Sequence, residues 1–426
     1  MSNSEAIKLI LIFTVVLAAE LAAIFLLSQI NGIEIFLRGD GRDYQNLANN
    51  LIYHKTLAIT PNPPYLPTSF RTPIYPFWLA FIYLIFRSYN AAVFIGAFVF
   101  ALSASIIYLI GREIFTEKIA MIATFLSGLE PWALYQSGFL AAEQIFMPIF
   151  LLSIYLFIRY LKSGALLPLY FSSLILGIAV LTRPVALAFM AIFIFLIFIL
   201  ELKFSIKKAF KISAVTFLIF IAVLSPWFIR NKIVLNSWQF SSASGLNIFG
   251  NYLMLEKYLG KFGVRDDVYE RAKQLTGAKT DIEAITTVEN SKKLTVIAVQ
   301  GITSHFGLFL KMHFLSTVPL FLLKSSYGNI LFDLGIYTYS LRVALLLFWP
   351  MIIFLAFLGI LKQFNQNYRS LSFWLLILWI LYFSVLLSGA RDISRYKLSI
   401  NAPLFMLAVA GFYKLKNYFF VYDNNA

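Results

Sequence analysis

The sequence contains no cysteine. This absence excludes a disulfide scaffold, a metal site built from thiolates and a cysteine nucleophile, but it indicates nothing about the redox compartment. Histidine is scarce too, because only His54, His305 and His313 occur and no HExxH pair is formed. No cofactor is therefore indicated, and the question of a divalent metal stays open.

Charged residues make up only 13% of the 426 residues, whereas 60% are hydrophobic. A water-soluble domain cannot hide that much apolar surface in one core, so this class is excluded. The 44 Phe, 23 Tyr and 7 Trp also exclude a disordered or collagen-like chain, since so many large apolar side chains favour burial. The composition therefore predicts an all-α polytopic membrane protein.

Motifs for nucleotide binding are missing as well. The chain has neither GxxxxGK-S/T nor GxGxxG, and it has no serine-nucleophile motif. An ATP-driven pump and a dinucleotide enzyme are therefore not indicated. No internal repeat is visible, which weakens the prediction of a secondary transporter only slightly.

The charge that is present is mostly positive, with 35 Lys and Arg against 20 Asp and Glu and a net charge of +15. Much of this excess lies in short segments between apolar runs, where anionic lipid headgroups and membrane topology account for it. We therefore expect contacts with membrane lipids and no nucleic-acid partner.

Ten apolar stretches reach the roughly 17 to 25 residues that a spanning helix needs. Two further stretches, 73–86 and 294–323, contain Trp, Tyr or Pro beside polar loops, which favours half-immersed interfacial helices. The sequence thus predicts a bundle of about ten, and at most twelve, transmembrane helices. The ten stretches are 8–30, 91–111, 119–137, 140–158, 163–182, 184–201, 212–229, 343–361, 371–389 and 398–413.

Lys and Arg are more frequent at the helix ends that a cytoplasmic N-terminus would place inside. This bias places both large polar segments, 31–90 and 230–342, on the same non-cytoplasmic side. We therefore expect three parts. They are an N-terminal transmembrane catalytic module that includes the first outside loop 31–90 (1–229), a long outside loop with interfacial helices (230–342), and C-terminal transmembrane helices with a short cytoplasmic tail (343–426).

The first outside loop carries an acidic residue at the start of a predicted amphipathic helix. Asp40 lies between two glycines, and the apolar residues after it follow helical spacing. Its carboxylate therefore either caps the helix or acts as a general base at the membrane surface. Asp43 follows within the same helical turn. The spaced residues are Tyr44, Leu47, Ala48 and Leu51.

Six prolines between positions 61 and 76 predict a stiff, extended segment that leads into the first interfacial helix. Arg71 comes near the end of this segment. A fixed guanidinium at headgroup level suits bidentate binding of a phosphate, although an arginine at a membrane boundary can also simply extend to the lipid surface.

Two glutamates occupy positions where a charge is costly. Glu143 lies at the outside mouth of two apolar spans, where it must be paired or solvated. Glu20 lies inside the first span, where it either faces a partner helix or has a functional role.

Several cations lie at the outside ends of spans. Arg183 and Arg230 close two of them, and Arg391, Arg395 and Lys397 precede the last. Together these side chains predict a cationic rim that fits anionic lipid headgroups.

The order of these motifs resembles the polytopic GT-C glycosyltransferases, of the dolichyl-phosphate-mannose-protein mannosyltransferase, aminoarabinose transferase and lipopolysaccharide-core transferase type. The resemblance covers most of residues 1–260 and the last spans. It rests on the order of the motifs and their placement in loops rather than on any single one. The motifs are Gly39-Asp40-x-x-x-Tyr44-x-x-Leu47-Ala48-x-x-Leu51, Arg71-x-Pro73-x-Tyr75-Pro76, Glu143, Leu181-x-Arg183-Pro184, Pro226-Trp227-x-x-Arg230-Asn231 and Arg395-Tyr396.

The resemblance implies an integral protein of the plasma membrane that transfers a monosaccharide on the non-cytoplasmic side. The donor would be a polyprenyl-phosphate sugar and the acceptor a lipid, glycan or protein. An acid in the first outside loop is central to catalysis in the family, and the matching residue is Asp40. Many members carry a second acid directly after it, but this chain has Gly41, which puts any role of that acid in doubt.

This chemistry needs a base for the acceptor hydroxyl and cations for the departing phosphate. Asp40 is the expected base, and a single in-line displacement would invert the anomeric carbon without a covalent nucleophile. The candidates for binding the donor phosphate are Arg71, Arg183, Arg230 and Arg395. The candidates for binding the substrates are Asp43, Tyr44, Glu143 and Tyr396.

Two other functions stay open at this point. A lipid-linked sugar flippase or other transporter would share the membrane bundle and the arginines near lipid phosphate, but it would not require Asp40. A polysaccharide polymerase or ligase with a diphosphate-linked donor would depend more on an arginine pair, and often on a histidine.

Overall fold

A computed structural model describes residues 3–260, 268–321, 339–367, 370–387 and 393–420. Within these ranges every regular element is helical, which confirms the all-α prediction. Short 3-10 turns, Ile33–Leu37 and Pro184–Ala186, precede α2 and α9. The helices are α1 (Asn3–Asn31), α2 (Asp40–His54), α3 (Ile74–Phe86), α4 (Tyr89–Ile114), α5 (Glu117–Gly128), α6 (Pro131–Ser137), α7 (Glu143–Ser163), α8 (Leu166–Thr182), α9 (Phe189–Leu202), α10 (Ile206–Leu235), α11 (Ala243–Tyr258), α12 (Val268–Thr276), α13 (Asp281–Thr286), α14 (Val288–Ser304), α15 (Phe306–Phe321), α16 (Tyr339–Asn367), α17 (Leu371–Leu387) and α18 (Ile393–Phe420).

Among the described residues, seven helices are long and apolar enough to cross a membrane, and an eighth span results if the bent pair α14 and α15 is counted as one. The seven spans lie in α1, α4, α7, α9, α10, α16 and α18. Three shorter apolar helices, α3, α8 and α17, complete the set. Nine of the ten predicted stretches thus coincide with one helix each, and the polytopic membrane architecture is confirmed.

The tenth stretch, 119–137, differs from the prediction because it is two helices, α5 and α6. Pro131 disfavours the helical conformation at the residue before it, and Glu130 is extended accordingly, with φ −59° and ψ 128°. The Glu130 carboxylate then accepts a hydrogen bond from Ala133 N at 2.9 Å and begins the new helix.

The two stretches that the sequence assigns to the membrane interface also form short helices. The 13 residues of α3 rise only about 20 Å, less than the roughly 30 Å of a hydrocarbon core. Helices α14 and α15 meet at 98°, so the stretch 294–323 is not one straight span in its described part.

Helix α7 is the centre of the bundle and is buried on nearly every side along its first three turns. Its Phe150 ring packs edge to face against Phe189 of α9 and against Trp379 and Phe383 of α17, with ring centroids 5.1 to 5.6 Å apart. Such pairs add to the burial energy of the rings themselves. This aromatic core fixes the position of the first residue of α7, which is Glu143.

Helices α11 to α14 form a separate small unit (Ala243–Ser304), here called the outside unit after the side of the membrane that the sequence predicts for it. Its own hydrophobic core lies between α11 and α14, which approach so closely that a Cβ on Gly245 would lie 2.4 Å from Ser291 O. The core residues are Phe249, Leu253, Val268, Ala272, Ala284, Leu294 and Ala298.

Candidate active site

Helix α2 presents the predicted acid at its first turn. Gly39 is the N-cap residue, with a φ of +63° that only glycine adopts without strain, and Asp40 is the first helical residue. Asp40 is therefore not the N-cap residue. The predicted apolar face is confirmed for Tyr44, Leu47 and Ala48, which are buried.

Arg71 joins the two acidic residues of α2. Its Nη2 donates to Asp40 Oδ1 at 2.7 Å and to Asp43 Oδ2 at 2.9 Å. Burial opposes the charge of this guanidinium, but the carboxylates outweigh burial and raise the pKa of Arg71 above its usual value. The side chain of Asp40 stays 26% exposed, so a substrate can still reach it.

A second ion pair lies where α7 begins and α8 ends. Arg183 Nη1 contacts Glu143 Oε1 at 2.7 Å, and the Glu143 side chain is only 2% exposed. Pro184 supports the extended conformation of Arg183, with φ −145° and ψ 122°, and so ends α8 at Thr182. The pairing that the position of Glu143 requires is thus provided by Arg183.

Tyr44 lies between the two ion pairs. The Arg71 guanidinium is 5.2 Å from the centre of the Tyr44 ring, and both carboxylate–arginine pairs act electrostatically on the phenol. Burial raises the pKa of Tyr44 to about 12, so its hydroxyl stays protonated at physiological pH. The structure therefore brings together six of the predicted site residues. They are Asp40, Asp43, Tyr44, Arg71, Glu143 and Arg183.

The segment that carries Arg71 is held by hydrogen bonds along its length. Residues 68–72 are bonded to the end of α8, to α10 and to the outside unit with the turn before it. These bonds leave Arg71 little freedom to move relative to Asp40. They are Arg230 Nη1 to Thr68 O (2.9 Å), Thr68 Oγ1 to Thr286 O (3.0 Å), Ser242 N to Ser69 O (3.3 Å), Ser241 Oγ to Phe70 O (3.0 Å) and Thr72 Oγ1 to Thr182 O (2.9 Å).

Ser242 offers a test of this support. Its hydroxyl donates to Thr286 O at 2.8 Å, the same carbonyl that accepts from Thr68. We expect Ser242→Ala to slow the reaction of this site by about 2- to 10-fold, the equivalent of one hydrogen bond, and to lower the Tm by a few degrees, because the lost hydrogen bond is buried.

The matched control is Thr303→Ala, which removes an exposed hydroxyl that bonds only within α14. Equal rates of Ser242→Ala and Thr303→Ala would show that the outside unit does not position Arg71.

Arg230 contacts the same segment three residues before Arg71. It bonds Thr68 O and Asn231 Oδ1 at 2.9 and 3.0 Å, and it packs over the Trp227 ring at 5.0 Å. Its expected contact with a donor phosphate stays a prediction. The structure gives it a supporting contact to the Arg71 segment.

The last predicted site residues belong to α18. Arg395 and Tyr396 lie in its first turn, but their side chains lie outside the described part of the structure, and so does Arg391. Lys397 differs from the predicted rim, because it is buried, at 3% exposure, with its Nζ 3.1 Å from the centre of the Trp349 ring. A cation–π contact replaces exposure to lipid headgroups there.

The carboxylates of the site have guanidinium partners. Arg71 binds Asp40 and Asp43, and Arg183 binds Glu143. The described residues include no group of three His, Asp or Glu side chains that could hold a metal ion.

Several residues that support the site by hydrogen bonds were not predicted from the sequence. Gln144 accepts a hydrogen bond from the buried Tyr75 hydroxyl at 2.8 Å and donates to Ser137 O at 2.7 Å. Tyr75 could have been predicted, because it belongs to the motif Arg71-x-Pro73-x-Tyr75-Pro76. Ser242 and Thr286 carry no recognisable motif, since their role arises from contacts between distant parts of the chain.

An apolar groove of about 380 Å³ lies between α9 and α17. The Tyr382 hydroxyl at its edge donates to Val185 O at 2.7 Å, two residues after Arg183. This bond joins the lining of the groove to the segment that follows Arg183. Its residues are Ile192, Leu378, Leu381, Tyr382, Val385 and Leu386.

Part of the chain matches the model of a known protein family. Residues 70–229 match the model of the family "Dolichyl-phosphate-mannose-protein mannosyltransferase". This range includes Arg71, Glu143 and Arg183 but not Asp40. A search of curated proteins found no matching sequence.

The fold is similar to that of an oligosaccharyltransferase from Archaeoglobus fulgidus. The structure of AglB with an inhibitory peptide and a dolichol-phosphate matches with a TM-score of 0.54 at 17% identity, over 96% of this chain and 52% of that one. A structure tethered to an acceptor peptide containing the NVT sequon has a TM-score of 0.54 at 16% identity, with coverages of 95% and 50%. One in complex with Zn and sulfate has a TM-score of 0.51 at 15% identity, with coverages of 94% and 50%. The chain spans about half the length of these proteins, and at these identities the likeness shows the fold alone.

Proposed function

We propose that this chain is a GT-C-type membrane glycosyltransferase that moves a monosaccharide from a polyprenyl-phosphate donor to an acceptor hydroxyl. The match of residues 70–229 to the mannosyltransferase family model and the similar fold of the archaeal oligosaccharyltransferase support this proposal. Asp40 is the general base, and Arg71 and Arg183 bind the donor phosphate. The acceptor is a lipid, glycan or protein on the non-cytoplasmic face of the plasma membrane.

One observation carries this proposal. An acidic residue of the first loop is held by a half-buried arginine, beside a second carboxylate–arginine pair. The ion pair favours the carboxylate form that a general base needs. A carboxylate can accept about four hydrogen bonds, so the bond to Arg71 leaves Asp40 able to accept one from the acceptor hydroxyl. The guanidinium groups supply positive charge where a phosphate would leave.

The reaction is a single displacement. The acceptor oxygen attacks the anomeric carbon while the bond from that carbon to the phosphate oxygen breaks, and the polyprenyl phosphate leaves with the bonding electrons. Asp40 takes the proton of the acceptor hydroxyl. The configuration at the anomeric carbon is inverted, because attack and departure occur on opposite faces.

The donor lipid chain needs an apolar path to the site. We expect the groove between α9 and α17 to supply one, because Tyr382 in its lining bonds Val185, two residues after Arg183. The exposed aromatic residues of α3, Phe77 and Phe81, offer a second contact near Arg71. The similar archaeal protein was solved with a dolichol-phosphate, which supports a polyprenyl-phosphate ligand here. Peptide complexes of that protein make a protein acceptor one of the candidates.

Membrane orientation follows from the charge bias of the sequence. Tags at residues 88, 164 and 206 test it, because the proposed topology places residue 88 outside and the other two inside. A cytoplasmic residue 88 would overturn the location of the site.

The function is tested with the purified chain and a panel of polyprenyl-phosphate monosaccharides. We expect transfer, or release of the sugar, from at least one member of the panel. Binding without turnover for every donor would favour the transporter alternative, and turnover only with diphosphate-linked donors would favour a polymerase or ligase.

Shortening the prenyl chain of an active donor should weaken its use sharply. Each buried CH₂ contributes about 0.8 kcal/mol, so the loss of a few isoprene units from an apolar groove lowers kcat/KM by at least about 100-fold. The comparison is between long-chain and short-chain donors carrying the same sugar. If a water-soluble short-chain donor is used equally well, the proposed lipid path is wrong.

A further inference from the structure

Glu20 of α1 is a buried carboxyl group inside a membrane span, and the proposed reaction does not use it. It is 1% exposed and lines a small cavity of about 30 Å³ between α1, α4, α5, α6, α7 and α18. The other lining residues are Val16, Phe100, Ser103, Ala104, Ile107, Ser127, Gly128, Ala133, Met147, Leu398, Asn401 and Ala402.

Three oxygen atoms of this cavity have no hydrogen-bond partner among the described residues. They are Glu20 Oε2, Ser103 Oγ and Asn401 Oδ1. All three side chains are more than nine-tenths buried, and they come from three helices that are distant in sequence. Buried polar atoms in proteins almost always have a partner, either in the protein or in a buried water.

The lining also contains no counter-ion for Glu20. The twelve other residues are apolar or neutral, with no Lys, Arg or His among them. An ionised carboxylate without a facing cation is strongly disfavoured in the interior of a membrane bundle, whereas a protonated carboxyl group is tolerated and gains an O–H donor.

We propose that Glu20 is uncharged and that its cavity binds one water molecule, which joins α1 to α4 and α18. The volume exceeds the roughly 10–15 Å³ that one water needs, and three polar groups match the usual two to four partners. The water accepts a hydrogen bond from the protonated Glu20 carboxyl group and donates one hydrogen bond each to Ser103 Oγ and Asn401 Oδ1. All three unpartnered groups are then satisfied.

The protonation state is measured directly by infrared spectroscopy of the full chain in lipid at neutral pH. We expect the carbonyl stretching band of a protonated carboxyl group, lost in Glu20→Gln. The matched control is Glu117→Gln, which removes a partly exposed carboxylate bound to Arg112 and should leave the band in place. Absence of the band from the wild-type protein would overturn the proposal.

The water bridge is tested by thermal unfolding. Glu20→Gln should keep a Tm near that of the wild type, because a neutral carboxamide also donates and accepts. Ser103→Ala and Asn401→Leu should each lower the Tm by a few degrees, since each removes one partner of the water. Unchanged Tm values in both would show that no bridge exists.

A sodium ion is the competing occupant of such a cavity. It would require an ionised Glu20, and the Tm would then rise with Na⁺ relative to choline in the wild type but not in Glu20→Gln. We expect equal Tm values in the two salts. A Tm that rises with Na⁺ in the wild type but not in Glu20→Gln would show that the cavity binds a sodium ion and would overturn the proposal.

Discussion

Replacing Asp40 by Asn should reduce sugar transfer by about 10²- to 10⁴-fold, the usual contribution of a general base. The amide has nearly the shape of the carboxylate, and its oxygen can still accept the Arg71 hydrogen bond, but it cannot take up a proton. Donor binding should persist, because the guanidinium groups proposed to hold the phosphate are unchanged. Single-turnover transfer and donor binding, measured at equal folded amount, separate the two effects.

Asp43→Asn is the matched control for this variant. Asp43 bonds the same Arg71 at a similar distance, 2.9 Å against 2.7 Å for Asp40, and both side chains are partly exposed. If transfer slows only because Arg71 loses a carboxylate partner, the two variants should be slowed alike. If Asp40 is the base, only Asp40→Asn should lose transfer. Equal losses of transfer rate in the two variants would show that Asp40 acts only as an ion-pair partner of Arg71. Unchanged turnover in Asp40→Asn would favour an enzyme with a diphosphate-linked donor.

Replacing Arg183 by Met should destabilise the protein by about 3–5 kcal/mol and also abolish transfer. The variant leaves the Glu143 carboxylate, whose side chain is 2% exposed, without the guanidinium that faces it at 2.7 Å. Unfolding in detergent measures the loss. The double variant Glu143→Gln/Arg183→Met should recover part of the stability, because it removes both charges, but it should not recover transfer.

An exposed ion pair provides the comparison. Lys293 and Glu289 of α14 approach to 2.9 Å, and their side chains are 48% and 78% exposed. Lys293→Met should change the stability far less than Arg183→Met, since water solvates the remaining glutamate. If the two variants lost similar stability, burial of the Glu143–Arg183 pair would not be the cause.

The membrane helices and the amphipathic α2 were predictable because both depend on local patterns. Long apolar runs and helical spacing of apolar residues are properties of neighbouring positions, and α2 buries the face that its spacing indicated, including Tyr44 and Leu47. The division of 119–137 into two helices at Pro131 also depends on local sequence, but the length of the apolar stretch, used as the sole criterion, predicted one helix there. A proline after Glu130 was the available indication.

Charged residues could be placed at the outer ends of helices but not paired from the sequence. Lys397 and Arg230 had the same apparent role as Arg183, yet Lys397 packs on Trp349 and Arg230 bonds the carbonyl of Thr68. Of these three cations, Arg183 is the one that pairs with Glu143 in the described part of the structure. The partners of these cations depend on which helices pack against each other, and this cannot be derived from a single sequence.

The sequence by itself determined a helical membrane protein with an acid at the start of an outside amphipathic helix and an arginine before the next one, because hydrophobic burial and helix periodicity act over a few turns. Only the tertiary structure decided that Arg71 bridges Asp40 and Asp43, 31 and 28 residues away, and that the outside unit holds the Arg71 segment. Such contacts form when whole helices pack, since their side chains reach only a few ångströms and depend on the position of every helix around them.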